Sequence, residues 1–263
     1  MNVQEFMGVG ENERPLDRIV TDGGFCAIFR TIAAIGDSLS SGELESTRAD
    51  GTHGYHDFYE YSWGQYIGRS CGSQVYNFSR GGMTAKEYVE SFADQKGFWG
   101  RDKLAQAYII ALGVNDIYRN YEFGKAEDAD LANPERDATT FAAYMGNIIT
   151  HIKELQPRAR IFLVTIPRDG GERDEKRREH RDLLVKIAEM YDFTYVIDLF
   201  TYAPVNDDAF RAVFRRGHLT PAGYILYARM IESYIDYIVR AHHDEFAQVG
   251  FIGTELYYNP EDR

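Results

Sequence analysis

Four residues stand where chemistry could be done: Ser38, Gly82, Asn115 and His218. Ser38 follows the apolar run Thr31-Ile-Ala-Ala-Ile-Gly-Asp37. Gly82 lies in Asn77-Phe-Ser-Arg-Gly-Gly-Met-Thr84, Asn115 in Gly113-Val-Asn-Asp116, and His218 in Gly217-His-Leu-Thr-Pro221. Together they form a minimum set for acyl transfer. A serine hydroxyl is a poor nucleophile until a base within hydrogen-bond reach takes its proton. Histidine is the side chain whose titration range suits that task near neutral pH. The tetrahedral intermediate carries an oxyanion, which needs preorganised donors worth about 3 kcal/mol each. The Ser38 N–H, the Gly82 N–H at a tight turn and the Asn115 side-chain amide are the candidates.

The elements that must position these residues follow from periodicity and punctuation. Phe25 to Ile35, Gln74 to Phe78, Ala105 to Leu112, Arg160 to Ile166 and Thr194 to Leu199 are apolar, β-prone runs that read as strands, the first with a bend near Arg30. Between them lie helical segments. Asp57 to Ser70 is aromatic-rich and closed by Cys71-Gly72. Thr84 to Ala93 opens on a capping box of Thr84 and Glu87. Thr139 to Leu155 carries Phe141, Tyr144, Ile148, Ile149 and Ile152 at helical spacing, and Asp174 to Tyr191 is amphipathic. Pro221 to Ala241 starts with Thr220 as N-cap and proline at its first position. Glu43 to Tyr55 and Phe123 to Asp137 read as loops, and the charge run Arg173 to Arg181 as a solvated helix face. Five alternations of strand and helix predict one α/β domain over residues 1–263, with a parallel sheet covered on both faces. Residues 1–22 read as an N-terminal arm and 244–263 as a tail. In such a sheet the ligand sits beyond the carboxyl ends of the strands, where three of the four candidates fall.

The chain has 263 residues and a formal charge of -12. That charge disfavours nucleic acid and anionic membrane surfaces as partners. Two cysteines predict neither a disulfide scaffold nor a structural zinc site. The start, Met1-Asn-Val-Gln-Glu-Phe, lacks a basic segment followed by an apolar one, and no apolar run approaches the ~20 residues that span a bilayer. The expectation is a cytoplasmic protein acting on a small-molecule ester, with no cofactor and no metal. Oligomeric state is not legible.

Two other motifs compete. Gly68-Arg-Ser-Cys-Gly72 has nucleophile-elbow spacing, but that motif needs a strand before it and a helix after it. Here the order is reversed, so Ser70 reads as part of a helix end. His53 and His56 could contribute to a metal site, yet no third ligand accompanies them, and they read as polar surface. In the aromatic stretch, Trp63 and Ile67 read as packing, while one or two of the tyrosines from Tyr55 onward could face substrate.

The four blocks, in this order, resemble those of the SGNH (GDSL) hydrolase superfamily over residues 31 to about 240. Gly36-Asp37-Ser38-Leu39 is similar to its first block, Asn77 through Thr84 to the second, Gly113-Val-Asn115-Asp116 to the third and His218-Leu-Thr-Pro-Ala-Gly-Tyr224 to the last. The resemblance implies a flavodoxin-like three-layer α/β/α sandwich with a five-stranded parallel sheet. It also implies metal-free ester or thioester hydrolysis through an acyl-serine. One position departs. The family carries an aspartate three residues before the histidine, and here that residue is Arg215. An arginine cannot accept the imidazole Nδ1–H. Either a backbone carbonyl or one of Asp198, Asp207 and Asp208 must then orient His218. The expected function is removal of small acyl groups, such as acetyl, from a carbohydrate or other polar alcohol. Lipase, lysophospholipase, thioesterase or acyltransferase activity and non-catalytic ligand binding on the same scaffold are the alternatives.

Overall fold

The computed structural model describes residues 8–259 and 261. Strands β1 (Thr31–Gly36), β4 (Gln74–Ser79), β5 (Ala107–Ala111), β6 (Arg160–Val164) and β7 (Thr194–Ile197) form one parallel sheet. Two further strands, β2 (Glu43–Thr47) and β3 (His53–Asp57), make an antiparallel hairpin, and β8 (Arg215–Arg216) and β9 (His218–Leu219) a second, smaller one. The sheet order is β4-β1-β5-β6-β7, the flavodoxin-like arrangement, with its switch point beside β1.

Both faces of the sheet are covered, which is why its strands are near-continuous apolar runs. On one face Ile32, Ala34, Ile109 and Phe162 pack against the helices Trp63–Cys71 and Pro221–Ala241. On the other, Ile35, Tyr108, Ile110 and Leu163 pack against residues 85–95 and the helices Phe141–Leu155 and Asp174–Ala188. Trp63 and Ile67 are fully enclosed, as packing requires. Truncating either to alanine should cost about 2–5 kcal/mol. The final helix starts at Pro221 with Thr220 accepting from the Gly223 N–H, and the turn at Thr84 accepts from the Glu87 N–H.

Three segments differ from the sequence expectations. The apolar run from Phe25 does not extend the first strand. Gly24–Ile28 is a 3-10 turn that buries Cys26 against the core, and β1 begins only at Thr31. Residues 43–55, expected to be loop, fall in the β2–β3 hairpin, whose second strand runs on to Asp57, so the aromatic-rich helix begins only at Trp63. In the charge run, Arg177 is buried and paired with Asp169 and Asp174, and Arg181 pairs with Asp198, so that helix face is anchored rather than wholly solvated. The described part of the arm docks on the final helix through Glu13 and Gly8 with Arg240 and through Val20 with Ser233. Residues 1–7, 260, 262 and 263 of the arm and tail lie outside the described residues.

Candidate active site

The β1 register sets the site. Gly36 pairs with Ser79 on one side and Ala111 on the other, so the turns after β4, β1 and β5 stand side by side at one edge of the sheet. These turns carry Gly82, Ser38 and Asn115. Ser38 opens the short helix Ser38–Ser41, with Asp37 as N-cap accepting from the Leu39 N–H at 2.9 Å. The first N–H groups of a helix lack intrahelical acceptors, which leaves the Ser38 amide free to donate outward. The neighbouring turns are knitted together. Asn115 Nδ2 donates to the Met83 carbonyl at 3.0 Å, Asp116 accepts from the Ala85 N–H at 3.2 Å, and Arg119 donates to the Gly82 carbonyl at 3.1 Å. Gly82 has φ +72°.

His218 arrives from the opposite end of the chain. Its Nε2 lies 2.9 Å from Ser38 Oγ. Tyr224, on the first turn of the following helix, donates to the Glu43 carbonyl at 2.8 Å and to the Ser38 carbonyl at 3.3 Å, tying the Ser38 turn, the histidine segment and the hairpin together.

The other face of His218 corrects the sequence expectation. Its Nδ1 meets Glu45 Oε1 at 2.5 Å, from the β2–β3 hairpin, and not a backbone carbonyl. The three aspartates are committed elsewhere. Asp198 caps Thr201, accepts from Thr165 and pairs with Arg181. Asp207 caps Phe210, and Asp208 is exposed beside Arg211. Each serves its own helix terminus, the ordinary use of an aspartate there. Arg215 donates to the Gly217 carbonyl at 3.0 Å and braces the turn before His218. Gly217 has φ +76°, and a Cβ there would fall 2.0 Å from Glu45 Oε2, so glycine is needed both for the turn and for the carboxylate beside it.

A second carboxylate is present. Glu43 Oε1 lies 3.1 Å from the same Nε2 that faces Ser38. Burial raises the Glu43 pKa, opposed by His218 and reinforced by Asp57 and Glu45. In the turns after β1 and β5, burial pushes the Asp37 and Asp116 carboxyls up to about 7. Tyr55, 63% exposed, stands edge-on to the His218 ring at 6.0 Å. The remaining singled-out residues lie apart from this cluster. Ser70 is inside the helix Trp63–Cys71. His53 and His56 bond Thr47 and Ser46 across the hairpin. Among the described residues no group of three histidine, cysteine, aspartate or glutamate side chains is arranged to hold a metal ion, and no helix is long and apolar enough to cross a membrane.

The five-stranded parallel sheet covered by helices on both faces defines the class as a flavodoxin-like three-layer α/β/α fold. The chain belongs to the GDSL-like lipase/acylhydrolase family, which it matches over residues 34–226. No curated protein sequence matches it. Among solved structures it is similar to a family two carbohydrate esterase from Clostridium thermocellum in complex with cellohexaose. The identity is 17% and the TM-score 0.55, over 80% of this chain and 64% of that one. It is also similar to a possible lipase from Chitinophaga pinensis, at 16% identity and TM-score 0.52 over 84% and 98% of the two chains. A family 3 carbohydrate esterase from Clostridium thermocellum gives 14% identity and TM-score 0.51 over 80% and 96%. The chain spans less than two thirds, 64%, of the length of the first of these structures.

Proposed function

We propose that Ser38 is the nucleophile of an acyl-serine mechanism whose base is His218 and whose third member is Glu45. The observation that carries this is the continuous relay Ser38 Oγ, His218 Nε2, His218 Nδ1 and Glu45 Oε1, at 2.9 and 2.5 Å. Glu45 accepts the Nδ1–H, which fixes the tautomer that leaves Nε2 free to accept, and it stabilises the imidazolium that forms. Ser38 Oγ attacks the ester carbonyl carbon as its proton passes to Nε2. The Ser38 N–H, the Gly82 N–H and the second Asn115 amide hydrogen hold the oxyanion. Collapse breaks the bond to the alcohol, whose oxygen takes the proton from Nε2. Water then gives a proton to Nε2 and attacks the acyl carbonyl carbon; the second intermediate collapses by breaking the bond to Ser38 Oγ, which takes the proton back from Nε2 as the acid leaves.

The substrate in this reading is a small acyl ester, acetyl above all, of a carbohydrate or other polar alcohol. Support comes from the open, carboxylate-rich approach to His218, the exposed Tyr55 ring beside it, and the fold shared with carbohydrate esterases. The test is treatment with p-nitrophenyl acetate and a fluorophosphonate probe, with Ser38→Ala in parallel. The wild type should release nitrophenol and become labelled, and the variant should lose at least about a thousandfold in rate and all labelling. A wild type that does neither would sink the reading in favour of a ligand-binding protein on this scaffold.

A further inference from the structure

The relay leaves one carboxylate beside its histidine unused: Glu43. Its carboxylate is 12% exposed and sits 3.1 Å from His218 Nε2, on the side where the reaction takes place. The position is built. A Cβ on Gly81 would lie 2.2 Å from Glu43 Oε2, so glycine clears the slot, and the Tyr224 hydroxyl holds the Glu43 main chain. The ionisable groups around it are His218 and His56 together with the carboxylates Asp57 and Glu45. Among the described residues no lysine or arginine pairs with Glu43.

We propose that Glu43 selects the alcohol half of the ester by accepting a hydrogen bond from a hydroxyl on the carbon next to the esterified one. This rests on the acyl-serine reading above. The leaving oxygen must come within hydrogen-bond reach of Nε2 to collect its proton. Glu43 Oε1 is within that reach of the same nitrogen, so a hydroxyl one carbon further along the alcohol meets it. Binding such a donor also draws Glu43 off Nε2 and leaves the imidazole to Ser38. The surrounding carboxylates repel an anionic neighbour at that carbon, so a neutral vicinal diol monoester is the fitting substrate.

The experiment compares 2-hydroxyethyl acetate with 2-methoxyethyl acetate, which have similar electronic character at the leaving oxygen but differ in the donor. A hydrogen bond to a charged acceptor predicts a kcat/KM ratio of about tenfold or more in favour of the hydroxyl compound in the wild type. The ratio should fall to near one in Glu43→Ala and to an intermediate value in Glu43→Gln, whose amide oxygen still accepts. Fluorophosphonate labelling of Ser38 in each variant shows that the site is folded. Equal rates on both esters in the wild type, or a ratio unchanged by Glu43→Ala, would overturn the proposal while leaving the esterase reading intact. No hydrolysis of either ester and no labelling would remove both.

Discussion

The two halves of the site are built in opposite ways. The floor, made by the turns after β4, β1 and β5, is anchored in a buried parallel sheet, and its acids Asp37 and Asp116 are almost wholly enclosed. The β2–β3 hairpin beside it is largely exposed, yet it contributes both carboxylates that touch His218. In the proposed mechanism the floor sets where the carbonyl goes and how its charge is met, and the hairpin sets the state of the base. A scaffold can therefore keep the first and vary the second, because an exposed hairpin costs the core little to change.

This division is open to measurement, the largest effect first. Glu45→Gln should lower kcat by about a thousandfold or more with little change in KM, since the imidazole loses its orienting charge. Asp198→Asn should leave kcat within about twofold. If the two results were exchanged, the hairpin would be peripheral and the base would be served from β7. Asn115→Ala removes one oxyanion donor from the floor and should cost about 10²-fold in kcat, read by steady-state kinetics on p-nitrophenyl acetate. An equal rise in KM would point to a ground-state contact instead.

The third effect concerns stability. A folded-state pKa of about 7 for Asp116, against 3.8 for an ordinary aspartate, means that the folded protein binds more protons between those values. Stability from this group is therefore greatest below about pH 4 and is lost as pH rises through 7. Asp116→Asn removes that loss and should raise stability at pH 8, relative to pH 5, by roughly 2 kcal/mol in urea melts. A parallel shift at both pH values would show that the carboxyl is ionised in the fold.

Legibility in the sequence divides along the same line. The floor could be read because its residues follow long apolar runs or precede a well-capped helix, as at Ala105 to Leu112 and at Thr84. The hairpin could not be read from periodicity. Its strands bury little, so residues 43–47 and 53–57 carry no alternating apolar face. One cue was present: Asp50-Gly51 is a dipeptide suited to a tight reversal between short strands. Taken as a hairpin, it would have placed Glu45 on an ordered strand. The segment before β1 failed for the reverse reason. Phe25 to Ile28 is apolar because it packs beneath the final helix, and a short apolar run does not distinguish a strand from a buried turn. Arg215 correctly signalled that the usual carboxylate was missing, but a single position cannot show what replaces it from 173 residues away.

That separation has a consequence during synthesis. Ser38 and its base are 180 residues apart, and the Tyr224 tether belongs to the helix that closes the fold. At ~5–20 residues per second, a ribosome needs roughly 10–40 s to pass from one to the other. Over that interval Ser38 has no histidine beside it, so in the proposed mechanism hydrolytic competence arises only when the carboxy-terminal segment docks.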